Sequence, residues 1–241
     1  MRLDEICPPH DPIARRALEE YGALFVADAS VRVPDACIFA CEAAVTDFQR
    51  QAGSATATLD ASVVELQPAA LQALLAARDE AHDLGLTLTP RGGGEASRRD
   101  YADTLRLWHS RVLPALDFWC ACGHLSNDEA DLVRQLPTAA QVAAVLECEA
   151  RGIYFSKDFK KSVMRSVALP GTSQHLAMLA FDAVEFRDAR VRSVLARHGW
   201  FQTVLSDLPH FTFLGRAEAD LPDYGLKRVV ADEQVFYVPH V

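Results

Sequence analysis

Two histidines and two aspartates in the C-terminal third of the chain have the side chains that metal-assisted hydrolysis requires. His175 and Asp182 lie in the largely apolar run ALPGTSQHLAMLAFDAVEF, and Asp207 and His210 lie in SDLPHFTF. Imidazole nitrogen and carboxylate oxygen are zinc donors, and a catalytic zinc takes three protein ligands and keeps one position for water. His175, Asp182 and His210 make up such a set. A bound zinc ion makes its water more acidic and polarises a carbonyl, and a general base has to reach that water. Asp207 is the local candidate. In an ideal strand, residues three apart face opposite sides, so a bend at Pro209 has to bring Asp207 back toward His210. Taken singly, each histidine also has ordinary structural uses. Asp182 could cap a turn or pair with an arginine, and Asp207 could simply start the turn before Pro209. Spacing alone leaves these readings open.

Convergence of the three ligands sets requirements on the elements around them. PGTS has to turn, with His175 in or just after it. AVEF reads as a strand with Asp182 at its start, and HFTF as a neighbouring strand entered by His210. WFQTVLS and VFYV are further strand candidates. DARVRSVLARHG is a helix whose end is marked by His198 and Gly199. Upstream, residues 11–27 read as a helix followed by a turn, and residues 36–51 as a second helix. LDASVVEL reads as a short strand or turn. Pro68 opens a strong helix that Gly85 closes. A β-prone LTLT then meets PRGGGEASRRD, the most flexible-looking loop. A long helix follows over DYADTLRLWHSRVLPALDFWC with a break or kink at Pro114, then helical pieces over 128–136 and 138–148. Trp108 and Trp200 read as core. The glycine-rich loop has neither the GxxxxGK[ST] phosphate cradle nor a dinucleotide fingerprint. The whole predicts an α+β fold with helices concentrated toward the N-terminal side.

The motifs resemble those of the zinc D-alanyl-D-alanine carboxypeptidases and dipeptidases of the VanY and VanX kind, within the Hedgehog/DD-peptidase-like group. That family's S-x-H-x-x-G-x-A-x-D signature is matched by Ser173, His175, Met178, Ala180 and Asp182, and its E-x-x-H by Asp207 and His210. The resemblance implies a small antiparallel sheet carrying a zinc site, with helices packed against it. It implies metal ligands His175, Asp182 and His210, Asp207 as the catalytic acid and base, and Arg91 facing the cleft as counterpart of the family's arginine, with Arg98 and Arg99 as rivals. Ser173 then becomes a substrate or ligand contact rather than a nucleophile, since no G-x-S-x-G elbow surrounds it. The implied substrate is a small peptide or peptidoglycan-derived peptide. Two positions depart from the pattern: Met178 stands for glycine and Asp207 for glutamate. The shorter arm of Asp207 leaves a slow or inactive zinc-binding relative as the alternative. The match is clearest over 168–214 and extends back to about residue 68. It divides the chain into a mainly helical extension over 1–60 and a zinc domain over 61–241, expected as one compact unit.

Composition narrows the partners. The chain has 241 residues, half of them hydrophobic, and a formal charge of -9. No basic excess is present to displace counterions from a nucleic-acid backbone, and no run of about 18 apolar residues suggests a membrane span. MRLDEICPPHDPIARR lacks an apolar signal core, so the expected location is cytoplasmic as the sequence stands, and periplasmic or extracellular if an export signal has been removed. The six cysteines, at 7, 37, 41, 120, 122 and 148, read as mainly reduced, buried thiols, with Cys37 and Cys41 on one helix face. CACGH, residues 120–124, has no second pair to complete a structural zinc site.

Overall fold

The computed structural model describes residues 11–240. The chain forms two compact units, one built from the residues up to 100 together with those from 172 onward, the other from 101–171. The boundary expected at residue 60 falls instead at the tip of a hairpin.

In the first unit, helix α1 (Pro12–Tyr21) continues into a 3-10 turn, Gly22–Val26, and α2 spans Glu42–Ala52. Strands β1 (Ala55–Leu59) and β2 (Ser62–Leu66) pair antiparallel, joined by Asp60 and Ala61, both at positive φ. A two-residue loop of that handedness matches the twist of the strands it connects. Helix α3 (Pro68–Asp83) opens on proline and buries Ala70, Leu71, Leu74, Ala77 and Ala81 along one face. That face packs into a core with Leu59, Val64, Leu66, Phe181, Val194, Leu195, Trp200 and Phe211. The central sheet has the order β3-β5-β4, formed by Ala180–Asp182, His210–Phe213 and Trp200–Phe201, all antiparallel and all buried. Helix α7 (Ala189–Arg197) leads into β4, and β6 (Leu226–Ala231) and β7 (Gln234–Pro239) close the chain as a hairpin.

The second unit is helical: α4 (Tyr101–Ala121), α5 (Asn127–Gln135) and α6 (Thr138–Ala150). Trp108 is fully buried in it and donates from its indole nitrogen to Gln141 Oε1 at 2.7 Å, while Gln141 Nε2 donates to the Val133 carbonyl at 3.0 Å. Helix α5 starts with a reciprocal capping box between Ser126 and Glu129. Pro114 does not break α4. It lies on the exposed side, where water can satisfy the carbonyl it frees. Among the described residues no helix is long and apolar enough to cross a membrane.

The mixed α and β character and the small antiparallel sheets match expectation, but several local readings change. Asp182 ends a strand, and Ala183–Phe186 pass through a single bridge into a turn. WFQTVLS contributes only Trp200 and Phe201. LTLT forms no strand, although Pro90 bridges to Ala183. The second helix starts at Glu42, because Cys41 holds an extended backbone as its N-cap, so Cys37 shares no helix face with it. Of the cysteines described, only Cys148 is a buried free thiol. Cys41 and Cys122 are exposed, Cys120 is half-buried, and Cys37 is disulfide-bonded. The described cysteines are thus mainly reduced, as expected, but Cys37 is not, and the expectation that they are buried is corrected.

Met178 holds a backbone conformation that more often falls to glycine. It follows the 3-10 turn that bears His175, has φ 55° and ψ 34°, and is completely buried. The backbone there needs the left-handed region, which glycine enters without steric cost. Met178 keeps the conformation and adds a packed side chain. We expect Met178→Gly to be more stable than Met178→Ala by about 1 kcal/mol, reversing their usual order, with the Ala variant about 2–5 kcal/mol below wild type. Chemical denaturation of the three proteins measures both differences.

Candidate metal centre

Antiparallel register explains why two residues 28 positions apart meet. Asp182 and His210 are direct cross-strand partners on β3 and β5, so their side chains leave the same face of the sheet. His175 enters from the 3-10 turn Gln174–Ala177, just upstream of β3. All three residues are buried, and one donor atom from each lies within 4.8 Å of the others. Asp182 Oδ1 is 3.4 Å from His175 Nε2 and 3.3 Å from His210 Nδ1.

The remaining ring nitrogens determine what these contacts are. His175 Nδ1 lies 2.6 Å from the Ser97 carbonyl, which can only accept. His210 Nε2 lies 2.7 Å from Gln174 Oε1. Each outer nitrogen therefore carries a proton, and in the matching neutral tautomers His175 Nε2 and His210 Nδ1 present lone pairs to a carboxylate oxygen. His175 Nε2 and Asp182 Oδ1 have no hydrogen-bond partner. Burial, reinforced by the Arg99 charge, lowers the His175 pKa to about 4 against the pull of Asp182, so the ring is neutral at pH 7. Buried polar atoms left without partners cost free energy. A metal ion shared by the three would satisfy all of them. Among the described residues this is the one such grouping.

Main-chain and amide contacts hold the ligands in place. The glycine-rich loop, which the sequence suggests is the most flexible segment, is laced onto the centre. Gly92 and Gly93 take φ 93° and 69°, turning the chain so that Ser97 offers its carbonyl to His175 and Arg99 donates to Asp182 Oδ2 at 3.0 Å. At the start of the loop, the Arg91 amide donates to the Asp182 carbonyl at 2.8 Å. Two buried glutamines brace the turn after His175. Gln49 Nε2 donates to Arg99 O and Leu176 O, and Gln67 Nε2 donates to Ala177 O.

The other candidate residues fall as follows. Residues 207–210 form a tight turn, with the His210 amide donating to the Asp207 carbonyl at 3.1 Å, so strand alternation does not apply between them. Asp207 keeps an exposed face yet is crowded by protein on its other sides. That crowding, with the Asp182 charge, raises its pKa against the opposing effects of His210, Arg99 and Arg91. Arg91 is exposed, with its guanidinium 5.5 Å from the centroid of the Phe186 ring. Arg98 pairs with Glu65 at 3.0 Å, on the β1–β2 hairpin. Ser173 is buried, and its carbonyl closes the turn by accepting from Leu176 N. CACGH lies at the end of α4 with free thiols. Sequence reasoning missed Ser97, Gln174 and the pairing of Arg99 with Asp182. Ser97 acts on His175 through its main chain and so leaves no residue-type signal.

A scan against protein-family models, a search of curated proteins and a search of solved structures each found no match.

The depressed His175 pKa sets a pH dependence for the metal-free protein. Between about pH 6.5 and pH 4 the unfolded chain binds a proton that the folded one refuses, so stability is full above the upper limit and declines toward the lower. The loss amounts to about 3 kcal/mol. Urea denaturation in chelator, stepped through this range, should show the decline, and His175→Gln should flatten it.

Proposed function

We propose that the chain is a zinc-dependent hydrolase of a peptide or related amide bond, with D-Ala-D-Ala-type or other peptidoglycan-derived peptides as its substrate class. One observation carries the reading: donor atoms of three buried residues, His175, Asp182 and His210, converge within 4.8 Å of one another. Ligand atoms at about 2.0–2.1 Å from a tetrahedral zinc stand about 3.3–3.4 Å apart, matching the 3.4 and 3.3 Å from Asp182 Oδ1 to the two imidazoles. Two of the three separations in the set His175, Asp182 and His210 thus match zinc, the third lies within 4.8 Å, and the nitrogen and oxygen donors suit that ion. When bound, zinc polarises the scissile carbonyl and acidifies water.

The protein's own groups supply the rest. Asp207 accepts a proton from the attacking water and returns one to the leaving amine. Its raised pKa moves the carboxyl toward the working pH, which favours both transfers. Arg91 offers the paired donors that suit a substrate carboxylate. Arg99 is committed to Asp182 Oδ2, which keeps Oδ1 directed at the histidines and offsets the carboxylate charge. Ser173, on the same turn as His175, is the remaining substrate contact. The substrate class rests on the motif resemblance. The disulfide at Cys37 suits an oxidising compartment and favours the exported alternative for location.

Zinc-loaded protein incubated with D-Ala-D-Ala and muropeptide stems should release amine. Asp207→Ala should lower kcat about 10²–10⁴-fold with zinc content unchanged, and His210→Ala should lose the metal. One zinc per chain without amine release would leave a binding domain in place of an enzyme. Failure to take up zinc on reconstitution would remove both.

A further inference from the structure

The N-terminal helix has no part in the proposed chemistry, yet a continuous chain of hydrogen bonds runs from it to one metal ligand. Gln174 is the link. It is buried and stands immediately before His175. Its Nε2 donates to the carbonyl of Tyr21, the last residue of α1, at 2.8 Å. Because that partner can only accept, the amide orientation is determined: the nitrogen faces α1 and Oε1 faces the centre. Oε1 lies 2.7 Å from His210 Nε2 and also accepts from the Thr212 hydroxyl. Thr212 in turn shares a hydrogen bond with Thr203 at 2.6 Å. The oxygen therefore sits among donors, and the proton of His210 has to be on Nε2 to meet it.

We propose that Gln174 is a positioning residue that holds His210 in the Nε2–H tautomer, keeping Nδ1 free for metal, and that α1 is the anchor setting its orientation. This rests on the metal reading above and assigns the N-terminal segment a role in that site. A second contact points the same way. Ser206, next to Asp207, donates to Glu20 on α1 at 2.8 Å, so the same helix braces the turn that carries both Asp207 and His210. Glutamine suits the position because both ends of its amide are used. Glutamate could accept from His210 but could not donate to Tyr21. Methionine has similar length and can do neither. Hydrogen-bond partners of a ligating histidine orient the ring and raise its basicity, and their removal typically costs 10–100-fold in metal affinity.

The test compares wild type, Gln174→Met and Gln174→Glu in the full chain by two readouts. Long-range ¹H–¹⁵N spectra of the metal-free protein report the tautomer of His210. Competition with a chromophoric chelator reports the zinc Kd. Wild type should show Nε2–H. The Met variant should lose that single tautomer and bind zinc about 10–100-fold more weakly. The Glu variant should keep the tautomer and recover most of the affinity, while unfolding at a lower temperature for want of the bond to Tyr21. An unchanged tautomer and unchanged zinc Kd in the Met variant would overturn the proposal. Should that variant not fold, the Glu variant decides: loss of the tautomer there rejects the acceptor role. Wild type that binds no zinc yet holds the Nε2–H tautomer would count against the metal reading while leaving the positioning role intact.

Discussion

A buried carboxylate oxygen set against two imidazole lone pairs is repulsive unless something positive lies between them. The rest of the first unit works to maintain that arrangement. Proton placement on the outer nitrogens, determined by the Ser97 carbonyl and Gln174, removes the simplest escape, in which a ring would turn its N–H toward Asp182. Arg99 removes another by occupying the far carboxylate oxygen. The separations of 3.3 and 3.4 Å exceed those of a good charge-assisted hydrogen bond. A folded chain with its own protons alone leaves these atoms unsatisfied, and a shared cation resolves all of them together.

Holding such a centre requires rigidity, and its source is unusual in composition. The three candidate ligands rest on short elements: a one-turn 3-10 segment, the end of a three-residue strand and the start of a four-residue strand. None is long enough to be stiff by itself. Buried glutamines, each contributed by a different part of the chain, bind the carbonyls and rings around them. Amides suit this work because one group both donates and accepts without carrying charge. The left-handed residue after the His175 turn is occupied by a fully buried methionine, so conformational strain at that point is offset by packing.

The face left open is the one where chemistry would occur. Asp207 and Arg91 both reach solvent, and Asp207 interacts electrostatically with Arg91, Asp182 and His210. A carboxyl with a raised pKa beside a fixed positive group can exchange protons with water.

Much of this protein could be read from residue types alone. The proline-led helix over 68–83, the strand over HFTF and the set His175, Asp182 and His210 follow from periodicity, capping and ligand chemistry, which are local properties. The end of β3 at Asp182, the division of the chain at 100 and 171, and the ordering of the glycine-rich loop did not follow. Each depends on contacts between distant segments. Register between β3 and β5 set Asp182 against His210, and the loop became rigid because its carbonyls and arginine found partners 78 to 83 residues away. The sequence by itself specified which atoms could bind a metal ion. Tertiary structure decided the proton positions and the mutual distances, because both are set by what lies on the far side of each ligand, and adjacency in space is not encoded by adjacency in the chain.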